Sequence, residues 1–483
     1  MEDKELGKKV VSGIKWKAFE RIFLQVINAV TPMVLARLLL PEDFGSIAIL
    51  TVFISIANTF VNNGLANAII QKKDSDEIDS STVFYTQVII AVLCYIVLFA
   101  ISPLIGKFYN DNSLVLMLRV MSLTIVIGSL GSMQITMMKK NMEFHKSFII
   151  YGSATVAYGI VGIGMAYGGF GCWSLVWANL ANSIVMRLAS MAVVRWKPKL
   201  VFSFIRLKTL FSYSWKLMVG WLIGTLHQDL YTIIIGKRFS PAVLGYYNRA
   251  GSFPQIITKT ATEVVDGVMF PALSQLQNDR EKLKESTKKL LSLNSYVLFP
   301  LFFGLSACSA NLIEVVLTKK WLPSAPMMSI VCITYALNAL NNSNMQVFNS
   351  MGRSDVFMKL ELVKRSVSII LLLVTSFINI YAVIIVLLLM AVLSNIVNIY
   401  NNKKLLDIPY REILRCVIPP IILSGIMWSV AYIVGRLLCI GAIWELLIQV
   451  LLGIVIYVGV SLVTKNESYM YILEEIKKIT KRA

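Results

Sequence analysis

The apolar residues of this chain come in blocks of about 20–25, the length that a helix needs to cross about 30 Å of hydrocarbon. Only 15% of its 483 residues are charged, whereas a soluble protein carries about 25%. Inside a bilayer every backbone polar group must find a partner within the protein, so such blocks fold as helices. The blocks predict an all-α membrane protein of about fourteen transmembrane helices, near residues 14–39, 45–70, 82–107, 114–137, 148–167, 171–194, 209–235, 250–274, 289–317, 325–350, 357–378, 380–400, 413–438 and 442–464.

The net charge of +19 at pH 7 first suggests a nucleic-acid partner, but its distribution argues against one. Most of the 46 Lys and Arg residues lie at the two termini and in every second loop of the fourteen-span arrangement, in residues 1–17, 71–81, 137–147, 187–208, 276–289, 352–365, 401–415 and 465–482. Loops of this kind stay on the cytoplasmic side. We therefore predict no nucleic-acid partner, cytoplasmic termini, and contact between the basic loops and anionic membrane lipid.

An internal repeat divides the chain. A Trp-Lys pair, a basic residue and a Pro-x-x-Phe/Leu-Gly turn recur after 199 or 200 residues, first at Trp16, Arg37, Pro41 and Gly45 and then at Trp215, Lys237, Pro241 and Gly245. Six spans separate the copies, so both have the same orientation, and an axis along the membrane normal should relate them. The repeat predicts an N-lobe of six spans in residues 1–200 and a C-lobe of six in 201–405, followed by two extra spans in 406–465 and a cytoplasmic tail in 466–483.

Four cations fall within predicted spans, where an ionisable group costs about 2.5–3.5 kcal/mol and therefore faces an interior or a cavity. They are Arg21, Arg119, Lys216 and Lys259. Gln25 and Asn28 follow Arg21 at helical spacing and extend its polar stripe. Because several buried cations need a shared anion, we predict that these residues line a cleft that binds an anionic substrate.

Three acidic residues lie in the same spans as the second pair of cations: Asp229, Glu263 and Asp266. They are either salt-bridge partners of those cations or a site for H⁺ or Na⁺, and the sequence leaves both open. Asn residues of the tenth and twelfth spans, such as Asn341 and Asn398, are expected to hold helices together, at about 0.6 kcal/mol for each pair.

The sequence has no nucleotide-binding loop of the G-x-x-x-x-G-K-[ST] kind, and neither histidine has a metal-ligating partner in view. The outer loops are too short to form a catalytic domain. We therefore expect a protein that is not an enzyme and that has no cofactor and no metal.

Several short motifs resemble those of a known family. They are Gly13-Ile14-Lys15-Trp16, the stretch 36–45, Gly64-Leu65, the stretch 244–250 (Leu-Gly-Tyr-Tyr-Asn-Arg-Ala) and the stretch 268–274 (Val-Met-Phe-Pro-Ala-Leu-Ser). Together they resemble the Wzx-type polysaccharide exporters of the multidrug/oligosaccharidyl-lipid/polysaccharide superfamily, in the branch that includes colanic acid and teichuronic acid exporters. The resemblance spans about residues 7–410, and the last two spans share only their number and hydrophobicity with the family.

The resemblance implies a flippase of the inner or plasma membrane that serves cell-surface polysaccharide or lipopolysaccharide biosynthesis. Its substrate would be an undecaprenyl-diphosphate-linked oligosaccharide repeat unit, carried from the cytoplasmic to the outer leaflet by alternating access. Two six-helix lobes in a pseudo-twofold V arrangement would enclose the cationic cleft. In relatives a Na⁺ or H⁺ gradient is thought to drive export, which makes Asp229 a candidate for cation coupling. A polysaccharide polymerase and glycosyltransferases would be partners.

Three alternatives remain open at this point. A cation-coupled exporter of small drugs would have the same fold, but we would expect its cleft to be more acidic or aromatic. A membrane polysaccharide polymerase or ligase would share the hydrophobicity and the lipid-linked substrate, although it would need a longer outer loop with catalytic residues. A partner protein of a synthesis complex that transports nothing would also fit the sequence.

Overall fold

The structure is a computed structural model, and it describes residues 23–464 except 63, 73, 277–278, 352–353 and 439. Beyond residue 464 it describes 466, 468–471, 473–474 and 477. The side chains of residues 144, 262–272, 348–349 and 354–357 lie outside the description.

The described residues form helices and no β-strand, which confirms the predicted all-α class. The helices are α1 (Phe23–Leu38), α2 (Pro41–Asn62), α3 (Leu65–Gln71), α4 (Glu77–Tyr109), α5 (Ser113–Met121), α6 (Leu123–Lys140), α7 (Phe144–Tyr167), α8 (Cys172–Val193), α9 (Phe204–Arg238), α10 (Pro241–Gln275), α11 (Arg280–Ala307), α12 (Ser309–Leu317), α13 (Ser324–Ser350), α14 (Ser354–Thr375), α15 (Ile380–Leu406), α16 (Tyr410–Leu437) and α17 (Ala442–Val463).

Over the described residues each predicted span coincides with helix, but three of the spans contain two helices rather than one. The second span breaks at Gly64, whose φ of 76° is a left-handed conformation that glycine adopts without steric cost. The fourth span is interrupted at Ser122 and the ninth at Cys308. Hydrophobicity reports only that a segment is apolar, so these local breaks were not predictable from it.

Nine segments of the described chain are long and apolar enough to cross a membrane on their own. The predicted spans outside this group are those of α1, α9, α10, α13 and α14, and all but the described part of α1 are full-length helices. The nine apolar segments and these five helices together agree with the prediction of about fourteen spans. Helices α9 and α10, which are outside this apolar group, hold the predicted site residues Lys216, Asp229, Lys259, Glu263 and Asp266.

The chain forms two compact units, residues 1–245 and 246–483. Helix α9 belongs to the first unit because the segment leading into it is bound to the start of α4. The backbone N–H of Lys199 donates to Ser81 Oγ at 3.0 Å, and that of Ser203 donates to Thr82 Oγ1 at 3.1 Å. This grouping follows contacts rather than the repeat, so the predicted lobe boundary at residue 200 stays a prediction.

Packing within each unit joins helices that are distant in sequence. In the first unit, Leu65, Val83, Met133 and Leu210 are buried together where α3, α4, α6 and α9 meet. In the second unit, a cluster of buried side chains joins α11, α16 and α17, and it consists of Tyr296, Leu423, Met427 and Tyr457. Because lipid tails are as apolar as these side chains, steric fit and interhelical hydrogen bonds stabilise such contacts.

The asparagines predicted to hold helices together do so between α13 and α15. Asn398 Nδ2 donates to Asn341 Oδ1 at 2.6 Å, and one turn further on Asn402 Nδ2 donates to Asn344 Oδ1 at 2.7 Å. Both donors are fully buried. The amide groups therefore form a ladder along the helix interface, which confirms the packing role expected of Asn341 and Asn398.

Candidate functional site

The two repeat motifs lie against each other within the first unit. A Cβ atom on Gly45 would lie 2.6 Å from the carbonyl carbon of Pro241, and one on Gly245 would lie 2.9 Å from that of Pro41. The backbones of the first turns of α2 and α10 thus pack against each other. The glycine of each turn lies against the proline of the other. The motifs that suggested a repeat are therefore paired in space by a local twofold relationship.

Polar side chains also join α2 to α9 deeper in the same unit. Ser55 Oγ donates a hydrogen bond to the Asp229 carboxylate, and the Thr59 and Thr225 hydroxyl oxygens are 3.4 Å apart. Among the described residues no cation lies within ion-pair distance of Asp229. Of the two predicted roles for Asp229, the described part of the chain thus offers no salt-bridge partner, and the cation-site role stays a prediction.

The first unit exposes a set of polar side chains on three predicted spans: Gln25 and Asn28 on α1, Thr51 on α2, and Lys216 and Gln228 on α9. Polar groups in a span are costly when they face hydrocarbon, and they are normally found against protein or a water-filled cavity. We name this set of exposed side chains the polar face.

Arg119 has partners on α4. Its Nε donates to Ser102 Oγ at 2.9 Å, and its guanidinium stacks over the Phe99 ring at 4.0 Å from the centroid. A guanidinium over an aromatic ring is stabilised by the negative face of the ring. These contacts hold Arg119 between α4 and α5, and a role in the substrate cleft stays a prediction.

The remaining predicted site residues are placed only in part. Lys259 is exposed on α10, in the second unit. Glu263 and Asp266 also lie on α10, but their side chains are outside the description, and Arg21 precedes the described residues. The structure thus brings Gln25, Asn28, Lys216 and Asp229 into one unit, whereas the complete four-cation cleft remains a prediction.

A cluster of charged residues near the start of α4 was not predicted. Asp79 is fully buried, and its carboxylate accepts from Lys72 Nζ at 2.5 Å and from Arg206 Nη1 at 3.1 Å. Asp76 caps α4 and exchanges hydrogen bonds with Asp79 as a capping box. The hydrogen bond from the backbone N–H of Asp79, together with the charge of Arg206, lowers the pKa of Asp76. The Asp-x-x-Asp sequence before an apolar run was the signal that could have located this cluster.

The second unit contains an apolar cavity of about 360 Å³ between α11, α16 and α17. Pro300, Gly304, Met427 and Tyr457 are among its lining residues, together with Gln449. The Gln449 amide is satisfied by protein groups, because it donates to the Ala431 carbonyl at 2.9 Å and accepts from Asn311 Nδ2 at 3.0 Å. The cavity therefore presents an almost wholly apolar surface.

Two curated proteins are similar to this chain over most of its length. Lipopolysaccharide biosynthesis protein WzxC of Escherichia coli is 27% identical over 372 residues, which cover 74% of this chain and 73% of that protein. Teichuronic acid biosynthesis protein TuaB of Bacillus subtilis is 24% identical over 358 residues, covering 73% of each chain. These similarities confirm the predicted resemblance to Wzx-type exporters.

A solved structure shares the fold. The structure described as "Lipid II flippase MurJ, inward closed conformation" superposes with a TM-score of 0.73 at 15% identity and covers 94% of this chain and 99% of its own. At this identity the likeness establishes the architecture alone, which is that of a multi-pass helical membrane protein. The family of polysaccharide biosynthesis proteins matches residues 34–326, more than half of the sequence. The chain therefore belongs to the polysaccharide biosynthesis protein family.

Proposed function

We propose that this protein is a flippase that carries an undecaprenyl-diphosphate-linked oligosaccharide repeat unit from the cytoplasmic to the outer leaflet by alternating access. The polar face of the first unit carries this proposal, because sugar hydroxyls and a diphosphate cross an apolar slab only along polar, hydrated protein surface. The same face contains Lys216, a cation suited to a diphosphate. The membership of the polysaccharide biosynthesis family supports the substrate class, and transport rather than catalysis is the activity proposed.

The apolar cavity of the second unit supports a lipid-linked substrate rather than a free sugar. Its lining of Pro300, Leu301, Gly304, Met427 and Gly453 offers carbon surface to a prenyl chain. Transfer of only the head group would leave the chain in contact with apolar surface throughout the movement.

The proposal extends to orientation, coupling and partners. Both termini lie in the cytoplasm of the cell, since the basic loops follow the positive-inside pattern. A Na⁺ or H⁺ gradient drives export, with Asp229, Glu263 and Asp266 as candidate coupling groups. The hydrogen bond from Ser55 to Asp229 supports this role for Asp229, because it holds between two spans a carboxylate that has no cation partner among the described residues. Glycosyltransferases supply the substrate and a polysaccharide polymerase consumes it.

The test is transfer between leaflets in vesicles that contain the purified protein. A fluorescent undecaprenyl-diphosphate oligosaccharide is placed in one leaflet, and its exposure in the other leaflet is measured with and without a Na⁺ or H⁺ gradient. We expect transfer that depends on the protein and accelerates with one of the gradients. Export of a small cationic dye without transfer of the lipid would contradict the proposal and favour a drug exporter.

A further inference from the structure

The segment that joins α8 to α9 exposes large apolar side chains next to cations. Leu200 is 95% exposed, Phe204 is 73% exposed and Ile205 is 82% exposed. Lys199 precedes this stretch and Arg206 follows it. Apolar side chains beside basic ones are typical of surfaces that lie in the headgroup region of a bilayer, where carbon and charge are both accommodated.

A cavity of about 390 Å³ with both polar and apolar lining residues opens beside these apolar side chains. Its lining residues are Lys72, Ser203, Ile205, Arg206, Thr209 and Leu210. The cavity thus has cations and hydroxyl groups on one part of its wall and the side chain of Ile205 on another. The phosphate of a lipid could bind the cations and hydroxyl groups, while its acyl chain could pack against Ile205.

The Arg206 guanidinium has N–H donors that could bind the phosphate of such a ligand. Its Nη1 is occupied by Asp76 at 2.9 Å and by Asp79 at 3.1 Å. Among the described residues no acceptor faces its Nε or Nη2, although a guanidinium has five N–H donors in all. The side chains of Lys72 and Arg206 are 38% and 37% exposed, so solvent-side ligands can reach both.

The local charge favours an anion. The carboxylates of this region are Asp74, Asp76, Glu77 and Asp79, and the last three form ion pairs with Lys72, Lys199 and Arg206. A fourth cation, Lys140, lies beside them, and its Nζ donates to the Lys72 carbonyl at 3.1 Å. Lys197 and Lys208 are exposed close by in sequence and have no acidic partner among the described residues. The cluster therefore keeps a positive excess after its internal ion pairs are counted, as a surface that attracts anionic lipid does.

We propose that this end of the first unit binds one anionic phospholipid of the adjacent leaflet as a resident ligand. The lipid phosphate binds Arg206 and Lys72 in the cavity, and an acyl chain lies along Leu200, Phe204 and Ile205. The bound lipid bridges the start of α9 to the end of α3, because its phosphate contacts Arg206 of α9 and Lys72, which caps α3. This proposal does not depend on the proposed function.

The test compares lipids on the full-length protein in detergent. Native mass spectrometry counts retained lipids, and intrinsic tryptophan fluorescence follows thermal unfolding, after addition of phosphatidylglycerol or of phosphatidylcholine with the same chains. We expect one tightly retained phosphatidylglycerol and a Tm raised by several degrees, with phosphatidylcholine giving neither. Equal retention and equal Tm shifts for the two lipids would overturn the proposal.

Two variants and one headgroup control test whether the acyl chain contributes to binding. Ile205→Gln removes apolar contact without touching the Asp79 ion pairs, so it should fold normally and lose at least tenfold in phosphatidylglycerol affinity. Val463→Gln is a matched control, because Val463 is 84% exposed at the end of α17, and it should bind as wild type does. Wild-type affinity in Ile205→Gln, or an equal Tm shift with glycerol phosphate alone, would contradict a lipid site.

Discussion

Gly45 lies directly against the carbonyl group of Pro241, so closely that a side chain on Gly45 would overlap it. The same relationship holds between Gly245 and Pro41. Each proline begins its helix, a position where its missing N–H costs nothing, and each glycine follows one turn later. The Pro-x-x-Phe/Leu-Gly motif is therefore the contact surface of one helix start for the other, which explains why both copies combine these two residues.

The first prediction concerns this contact. Gly45→Ala places a methyl group against the Pro241 carbonyl, and backbone atoms cannot move aside as a flexible side chain can. We expect a loss of about 1–3 kcal/mol in the free energy of unfolding, as for overpacking elsewhere. Chemical denaturation in detergent measures it. Gly164→Ala is the matched control, because no atom lies within 4 Å of the added Cβ, and it should cost nothing.

Because the Gly45 and Gly245 contacts are reciprocal, the variant that carries both substitutions has its own expected result. Gly45→Ala and Gly245→Ala open the same contact, so together they should cost clearly less than the sum of the two single losses. Additive losses would show that the two glycines pack independently and would contradict a shared contact.

The second prediction concerns the buried Asp79. Asp79→Asn removes the charge shared by Lys72 and Arg206, while a hydrogen-bonding group of the same size remains. Loss of a buried partner costs about 3–5 kcal/mol, and the partial exposure of both cations reduces this to about 2–3 kcal/mol. Thermal and chemical unfolding measure the loss. Glu77→Gln is the control, because the pair of Glu77 with Lys199 is more than half exposed and should contribute about 0–1 kcal/mol.

The third prediction is a pH dependence from the same cluster. The backbone N–H of Asp79 and the charge of Arg206 lower the pKa of Asp76 below its ordinary value of 3.8. A carboxyl with a lowered folded pKa stabilises the protein above its unfolded pKa and ceases to do so as pH falls through the folded value. The Tm difference between wild type and Asp76→Asn should therefore be constant above about pH 5 and shrink below pH 3.8. A difference that grows on acidification would contradict the assignment.

The fourth prediction tests whether the apolar cavity receives the lipid chain. Gly304 lines the cavity, and a Cβ there would meet only Met427 Cε, at 3.6 Å. Gly304→Leu should therefore fill space without disrupting the helices. We expect slower leaflet transfer for a substrate with a long prenyl chain and unchanged transfer for one with a short chain. Equal slowing of both substrates would place the chain elsewhere.

The sequence predicted the helices well because apolar length is a direct requirement of the bilayer. It predicted that Asn341 and Asn398 hold helices together, since buried amides in spans need partners. It did not predict the Arg119 contacts, because Ser102 lies 17 residues away and the turn between the two helices decides whether they meet. It also missed the Asp79 cluster, whose partner Arg206 lies 127 residues further along the chain. Long-range pairs of this kind leave no periodic signal.

We propose above that a polar head group moves along the polar face of the first unit during transfer. Leaflet transfer of a fluorescent undecaprenyl-diphosphate oligosaccharide is compared in vesicles with wild type, Lys216→Ala, Gln228→Leu and the control Lys107→Ala, which removes an exposed cation at the far end of α4. We expect at least tenfold slower transfer for the two α9 variants, with unchanged Tm, and wild-type transfer for the control. Wild-type rates in both α9 variants would contradict it.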